Sequence, residues 1–337
     1  MPERNTRVGK LPLSLLGKLL SVASRYSTPA TILGPSIGED AGVVELPECM
    51  LVAHADPITE ASTGSGRLAV IVASNDVAAT GARPRWIQIV VLLPPGSHPG
   101  IAESLVAEAA EEASKLGIQI LGGHTEWSPG LEKPVVVAFA YGCACKTCLT
   151  PTSAVRVGDE VAIVGWAGLE GMRILAADFR EELRRAGVPE SAIREAVEFP
   201  GEISIVDVAV RLAESGLVNA MHDATEGGVL GALVEMALAS GLSIKVEADR
   251  IPVPNPLRVI AEKTGVSPLK LISSGALLVT YPPENRGQIE DIVRRSGRPF
   301  SPIGVAVEGP GQVVLNMGGQ TIILREPPED EISRYWR

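Results

Sequence analysis

Carboxylates stand beside glycines, alanines or small polar residues in four short segments of this chain. They are Gly38-Glu39-Asp40-Ala41-Gly42, His54-Ala55-Asp56-Pro57, Ser74-Asn75-Asp76-Val77-Ala78-Ala79 and His222-Asp223-Ala224-Thr225-Glu226-Gly227-Gly228. That combination suits magnesium and polyphosphate. Mg²⁺ takes a few protein carboxylates while water and phosphate oxygens complete its octahedron, so the acids can come from scattered segments. Small neighbours let a triphosphate approach the backbone. A fifth segment, Leu121-Gly122-Gly123-His124-Thr125-Glu126, places a glycine pair after an apolar run. Read as a flexible turn, it would offer two N–H groups and the Thr125 hydroxyl to phosphate oxygens.

Asp76 is the most informative of these acids. It falls inside an expected helix over 67–80, on the face that carries Val72 and Ala79, where an unpaired carboxylate is expensive to bury. A salt bridge to Arg83 or Arg85 would relieve that cost, and so would a metal. Asp40 precedes an apolar strand and could equally cap a turn. Asp223 ends a short strand, and Thr225, Gly227 and Gly228 open a helix whose amino terminus would attract an anion. Asp223 or Thr225 could also serve only as its cap. His222 reads either as a hydrogen-bonded structural histidine or as a polar group facing substrate.

The elements that must position these residues follow from periodicity. Residues 11–25 form an amphipathic pattern with Leu15, Leu16, Leu19, Leu20 and Ala23 on one face. Strands are expected over 43–46, 50–55, 86–93, 118–121 and 135–141, with helices over 67–80 and 101–116. The turn-rich stretch 150–159 marks a boundary, which divides the chain into domains 1–150 and 151–337. The second half is expected to hold helices near 168–186, 191–198, 203–215, 228–240 and 284–296. Its strands are expected near 160–165, 218–221, 243–247, 276–281, 302–307 and 312–324. Both halves are therefore α/β.

A chain of 337 residues with 45% apolar content can bury a large core. Its net charge of −10 and its lack of a lysine or arginine cluster argue against nucleic acid as a partner. No apolar stretch reaches the roughly 18 to 20 residues that span a bilayer, and the amino end lacks a secretory pattern, so a cytoplasmic protein is expected. Cys49 stands alone, whereas Cys143, Cys145 and Cys148 form a Cys-x-Cys-x-x-Cys cluster. The cluster would need one more ligand to hold zinc or an iron–sulfur group; a local redox disulfide or small residues at a strand end are the other readings. No Gly-x-x-x-x-Gly-Lys-Ser/Thr occurs, which excludes a P-loop. Gly64-Ser65-Gly66 imitates a dinucleotide fingerprint without the strand that should precede it.

Taken in order, GEDA at 38–41, ADP at 55–57, NDVAATGARP at 75–84, GGHT at 122–125 and HDATEGG at 222–228 resemble the aminoimidazole ribonucleotide (AIR) synthetase superfamily. The resemblance runs from about residue 8 to about residue 325, and HDATEGGVLGAL is most similar to its hydrogenase-maturation branch, HypE. It implies a two-domain α/β (α+β) fold with a dimeric barrel-like core, ATP and Mg²⁺ as cofactors, and activation of an acceptor by phosphoryl transfer. It further implies Asp40, Asp76 and Asp223 as metal ligands, and Asp56, Asp76, Gly122, Gly123, Thr125, Thr225, Gly227 and Gly228 as nucleotide-binding residues. Asp76, His124 and His222 are the implied catalytic residues, with Asn75 orienting Asp76. Apolar strands at 50–55 and 86–93, too apolar for open edges, support the homodimer.

HypE carries its carbamoyl group on a carboxyl-terminal cysteine, and here no cysteine follows Cys148 in a sequence that ends Arg334-Tyr335-Trp336-Arg337. The expectation is therefore phosphoryl transfer to another small-molecule or protein acceptor. A thiamine-monophosphate kinase-like enzyme, supported by GEDA and by Gly9-Lys10-Leu11-Pro12, and a non-catalytic nucleotide-binding scaffold are the alternatives.

Overall fold

The computed structural model describes residues 11–24, 28–59, 61 and 63–336. Gly9 and Lys10, Arg25 at the end of the expected first helix, and Arg337 lie outside the described residues. The first half contains α1 (Leu13–Ala23), β1 (Thr31–Leu33), β2 (Gly42–Glu45), β3 (Met50–Ile58), α2 (Ser65–Ala79), β4 (Arg83–Leu93), α3 (Gly100–Lys115), β5 (Gln119–Trp127) and β6 (Val135–Ala144). Its strands form one sheet in the order β1-β2-β3-β6-β4-β5. Every pairing is antiparallel except β4 with β5. Strand β6 alternates half-buried and buried positions along its whole length, the period-two pattern of a strand with one face on a core. That face is covered by α2, which also packs on β3 and α3.

The second half contains β7 (Glu160–Val164), α4 (Leu169–Asp178), α5 (Arg180–Arg185), α6 (Glu190–Glu198), α7 (Val206–Ser215), β8 (Ala220–Asp223), α8 (Gly228–Ser240), β9 (Ser243–Glu247), α9 (Asn255–Thr264), β10 (Leu277–Tyr281), α10 (Arg286–Arg294), β11 (Phe300–Val307), β12 (Val313–Met317) and β13 (Gln320–Leu324). The sheet order is β13-β12-β9-β11-β7-β10-β8, with only β12 and β9 parallel. Strands β8 and β10 are buried at every residue, so His222 and Asp223 at the end of β8 are held inside the protein. Helix α2 joins the two halves, because it touches α7 and β8 as well as the first sheet. Every residue of α2 except Arg67 is buried.

Several expected elements change in the structure. The helix expected over 168–186 is two helices, broken where Phe179 leaves the helical region at φ −121°. The strand expected over 312–324 is a hairpin, because Gly318 and Gly319 both turn through positive φ. Helix α9 has no counterpart in the sequence reading; its Pro254-Asn255-Pro256 start resembles a loop, yet proline fits the first helical turn. Strands β3 and β4 are interior to the sheet, so neither is the open edge that the sequence reading assumed.

Candidate functional site

One wall of the site is built by β3 and α2. His54 and Asp56 are two residues apart on β3 and therefore point to the same face, toward the helix that packs there. Asp76 comes from that helix. Ligand atoms of His54, Asp56 and Asp76 all lie within 4.8 Å of one another, and His54 Nε2 is 3.4 Å from Asp76 Oδ2. Arg83 does not neutralise Asp76; it reaches Asp207 and Glu214 instead.

The facing wall comes from the loop before β2 and from β8. His222 is buried, with Nδ1 2.5 Å from Asp40 Oδ1 and Nε2 3.2 Å from Glu235 Oε2 on α8. Burial opposes the charge on this ring, but Asp40 and Glu235 outweigh it and push the imidazole up to about 10. His222 is thus clamped between two carboxylates, which favour its protonated form. The second Asp40 oxygen accepts the Asp223 N–H at 3.2 Å. Close packing fixes this loop: a Cβ at Gly38, where φ is +81°, would sit 2.4 Å from the Glu235 carbonyl oxygen. Glu39 is used locally, accepting the N–H groups of Thr152 and Ser153 at 2.9 and 3.1 Å.

Asp223 is only 2% exposed, and neither of its carboxylate oxygens has a well-formed hydrogen bond among the described residues, although the Asn75 side chain lies close enough to favour its charged form. Burial first, then the nearby Asp76 and Asp40 charges, push its carboxyl well above the usual range. Three gathered acids, one of them a buried carboxylate without a well-formed hydrogen bond, form a donor set of hard oxygens suited to Mg²⁺. Asp40 and Asp76 border a cavity of about 270 Å³ whose lining also includes His54, Asp56, His222 and Thr225, with Leu16 and Leu20 of α1; Asp223 lies behind that wall, its N–H bonded to Asp40. A smaller space of about 70 Å³ shares Asp56 and Thr225 with that cavity and Glu170 and Ile174 with a third cavity. That third cavity measures about 530 Å³ and is lined by Arg67, Glu170, Arg173 and Phe199 among others. Burial pushes the Glu170 carboxyl up to about 7.

The structure therefore brings together Asp40, Asp56, Asp76, His222, Asp223 and Thr225 from the sequence reading. It does not bring in the glycine segments. Gly122-Gly123-His124-Thr125 is not a turn but the middle of β5, where a register shift against β4 leaves Leu121 bulged. A Cβ at Gly123 would lie 1.7 Å from the Ile89 carbonyl oxygen, so this glycine serves close strand approach. His124 is exposed, pairs with Glu126 at 3.1 Å and does not line the cavity beside Asp76. The amino terminus of α8 is sealed as well. The Gly227 N–H donates to Asp330 at 2.7 Å, and a Cβ at Gly228 would meet the Leu269 and Leu271 carbonyl oxygens at 2.6 and 2.8 Å. Gly227 and Gly228 therefore pack against protein rather than phosphate. Asn75 does not orient Asp76; it bonds the Ile203 carbonyl and the Ile205 N–H, fastening α2 to the second half.

His54, Glu235 and Glu170 were missed as functional candidates. Glu235 is the one charged residue in the otherwise apolar α8, the same signal that marks Asp76 in α2. His54 could have been found from its alternation with Asp56 on a strand. Glu170 lies in the first turn of α4, where an acid is ordinary, and only the fold shows it buried.

Two family models match the chain: "AIR synthase related protein, N-terminal domain" over residues 38–144 and "AIR synthase related protein, C-terminal domain" over residues 156–316. A hydrogenase expression/formation protein of Methanocaldococcus jannaschii is 27% identical over 266 residues, 77% of this chain and 75% of that protein. Carbamoyl dehydratase HypE of Escherichia coli is 25% identical over 284 residues, 83% of this chain and 81% of that protein. Among solved structures, hydrogenase maturation protein HypE in complex with ATP superposes with a TM-score of 0.73 at 24% identity, covering 94% of this chain and 96% of that one.

Proposed function

The chain belongs to the AIR synthase related proteins, and from that premise we propose that it binds Mg·ATP over its acidic cavity and transfers a phosphoryl group to an oxygen of an acceptor, as a HypE-like enzyme. The observation that carries this reading is Asp223, a buried carboxylate without a well-formed hydrogen bond, flanked by Asp76 and Asp40. Such a group is costly until a cation arrives. Asp76, Asp223 and Asp56 would hold Mg²⁺, with His54 beside them. When bound, the metal would neutralise charge on the phosphate oxygens as transfer proceeds.

The chain's own residues divide the remaining work. Both ring nitrogens of His222 are engaged, so it fixes Asp40 in place rather than exchanging a proton with substrate. The Asp40–His222–Glu235 clamp keeps the cavity wall from collapsing toward Asp223. The larger cavity, with Arg67 and Arg173 on its wall, is the place for the acceptor, and Glu170 stands where the two spaces meet. With its carboxyl pushed up to about 7, Glu170 can hold or release a proton near neutrality. Phosphorylation turns a poor leaving oxygen into phosphate, the chemistry that an ATP-dependent dehydration needs. The same reading includes a homodimer through β5, an edge strand that exposes Leu121 and Trp127.

Calorimetry with Mg·ATP tests the assignment. The native chain should bind, and Asp76→Asn should bind about tenfold to a hundredfold more weakly, because it keeps the shape and removes the charge that faces the metal. Equal affinity in the two proteins would overturn it.

A further inference from the structure

All four cysteines of the chain meet at one corner of the first sheet, away from the acidic cavity. Strand β3 pairs with β6 so that Leu51 faces Cys143 and Met50 faces Ala144. Cys49 and Cys145 are the residues that adjoin this last pair on the two strands, and Cys143 and Cys145 are two residues apart. Cys49 Sγ lies 2.6 Å from Cys143 Sγ. Cys145 and Cys148 are joined as a disulfide across a short 3-10 turn. The fourth cysteine that the local sequence motif lacked is therefore supplied by the residue just before β3.

The two pairs differ in access. Cys145 is exposed, while Cys148, Cys49 and Cys143 are half-buried. Burial, with Cys49 next to it, pushes the Cys143 thiol up to about 11. The disulfide turn is held rigidly against the end of α2: a Cβ at Gly81 would sit 2.0 Å from the Cys148 carbonyl oxygen, and Thr150 donates to the carbonyls of Thr80 and Ala79. A fixed disulfide with an exposed Cys145, beside a half-buried dithiol, has the parts of a two-stage exchange centre.

We infer that this corner is a thiol–disulfide exchange site whose outer Cys145–Cys148 couple reacts with a dithiol protein and whose inner Cys49–Cys143 couple exchanges with the outer one. In the outer step a partner thiolate attacks Cys145 Sγ and Cys148 leaves as thiolate. The partner's second thiol then attacks its own sulfur in the mixed disulfide, releasing Cys145. One disulfide is reduced and one partner dithiol is oxidised. In the inner step the Cys49 thiolate attacks Cys145 Sγ, Cys148 leaves and takes up a proton, and Cys143 then attacks Cys49 Sγ to release Cys145. One S–S bond forms and one breaks, with no external oxidant. This inference stands apart from the nucleotide reading, and either can fail alone.

The test uses the full chain purified in air, with reduced thioredoxin as the dithiol probe and N-ethylmaleimide labelling mapped by mass spectrometry. Two labels are expected at first, on Cys49 and Cys143, and four after thioredoxin. During incubation at pH 8 without added thiol, label should move from Cys49 and Cys143 to Cys145 and Cys148. Cys49→Ser should slow that migration by more than about tenfold while thioredoxin still opens Cys145–Cys148. Melting curves of Cys49→Ser and Cys143→Ser report that both variants are folded. A disulfide that thioredoxin leaves intact, migration unaffected by Cys49→Ser, or one tightly held zinc ion per chain with all four thiols protected would each overturn the inference; the last would make the corner a tetrathiolate metal site.

Discussion

The acidic cavity and the β5 edge both looked functional as sequence, and they ended in opposite environments. Asp76 and Asp223 are nearly inaccessible, on elements buried almost throughout, whereas His124 lies on a strand exposed along most of its length. A carboxylate in the first setting carries a standing desolvation cost, and a polar residue in the second carries almost none. Burial therefore separates groups that demand a ligand from groups that merely tolerate water. Under the proposed reading the cavity would take a cation, and the exposed Leu121 and Trp127 of the edge would face a second copy of the chain.

The sharpest way to break that contrast is Asp223→Asn. Removing a buried charge should stabilise the metal-free protein by about 1–3 kcal/mol while weakening Mg·ATP binding by about tenfold to a hundredfold. Thermal melts read the first effect and calorimetry the second. A variant that is both less stable and equally tight in binding would mean that Asp223 is structural. Gly228→Ala probes the sealed helix terminus. With φ at +64° and carbonyl oxygens at 2.6 and 2.8 Å, the added methyl should cost about 1–3 kcal/mol of stability, visible in denaturant unfolding. An unchanged midpoint would reopen that terminus as a phosphate site.

His222 predicts a pH dependence. Its folded value of about 10 lies above the ordinary 6.5, so its contribution to stability is fully present below about pH 6.5 and is lost as pH rises through 10. His222→Gln should lower the melting temperature at neutral pH and flatten that part of the stability curve. Melts from pH 6 to 10 decide the matter, and an unchanged slope would show that the imidazolium clamp is absent. The smallest effect is expected at the edge: His124→Ala should alter Mg·ATP affinity by less than about twofold, because an exposed pair with Glu126 contributes little. A large loss would bring β5 into the site.

Much of the fold was legible because periodicity reports burial. The alternation in β6, the largely apolar β10 and the apolar helix α2 all stood in the sequence. What periodicity could not report was interruption and register. The same glycine pair reads as a turn or as a bulge until a partner strand is present, and only the β4 pairing made Gly122 and Gly123 part of β5. Gly227 and Gly228 looked open until Asp330, about a hundred residues away, took the N–H.

The sequence by itself determined that carboxylates sit in apolar elements, since Asp76 within α2 is costly in any fold that buries that helix. It also determined the two-halved α/β architecture, because local hydrophobic pattern sets which faces must be covered. Only the tertiary structure decided which acids share one cavity, that His222 is held between Asp40 and Glu235, and that Cys49 reaches Cys143. These are contacts between residues far apart along the chain. Their energies depend on distance and dielectric, which fall steeply within a few ångströms, and no local pattern encodes them.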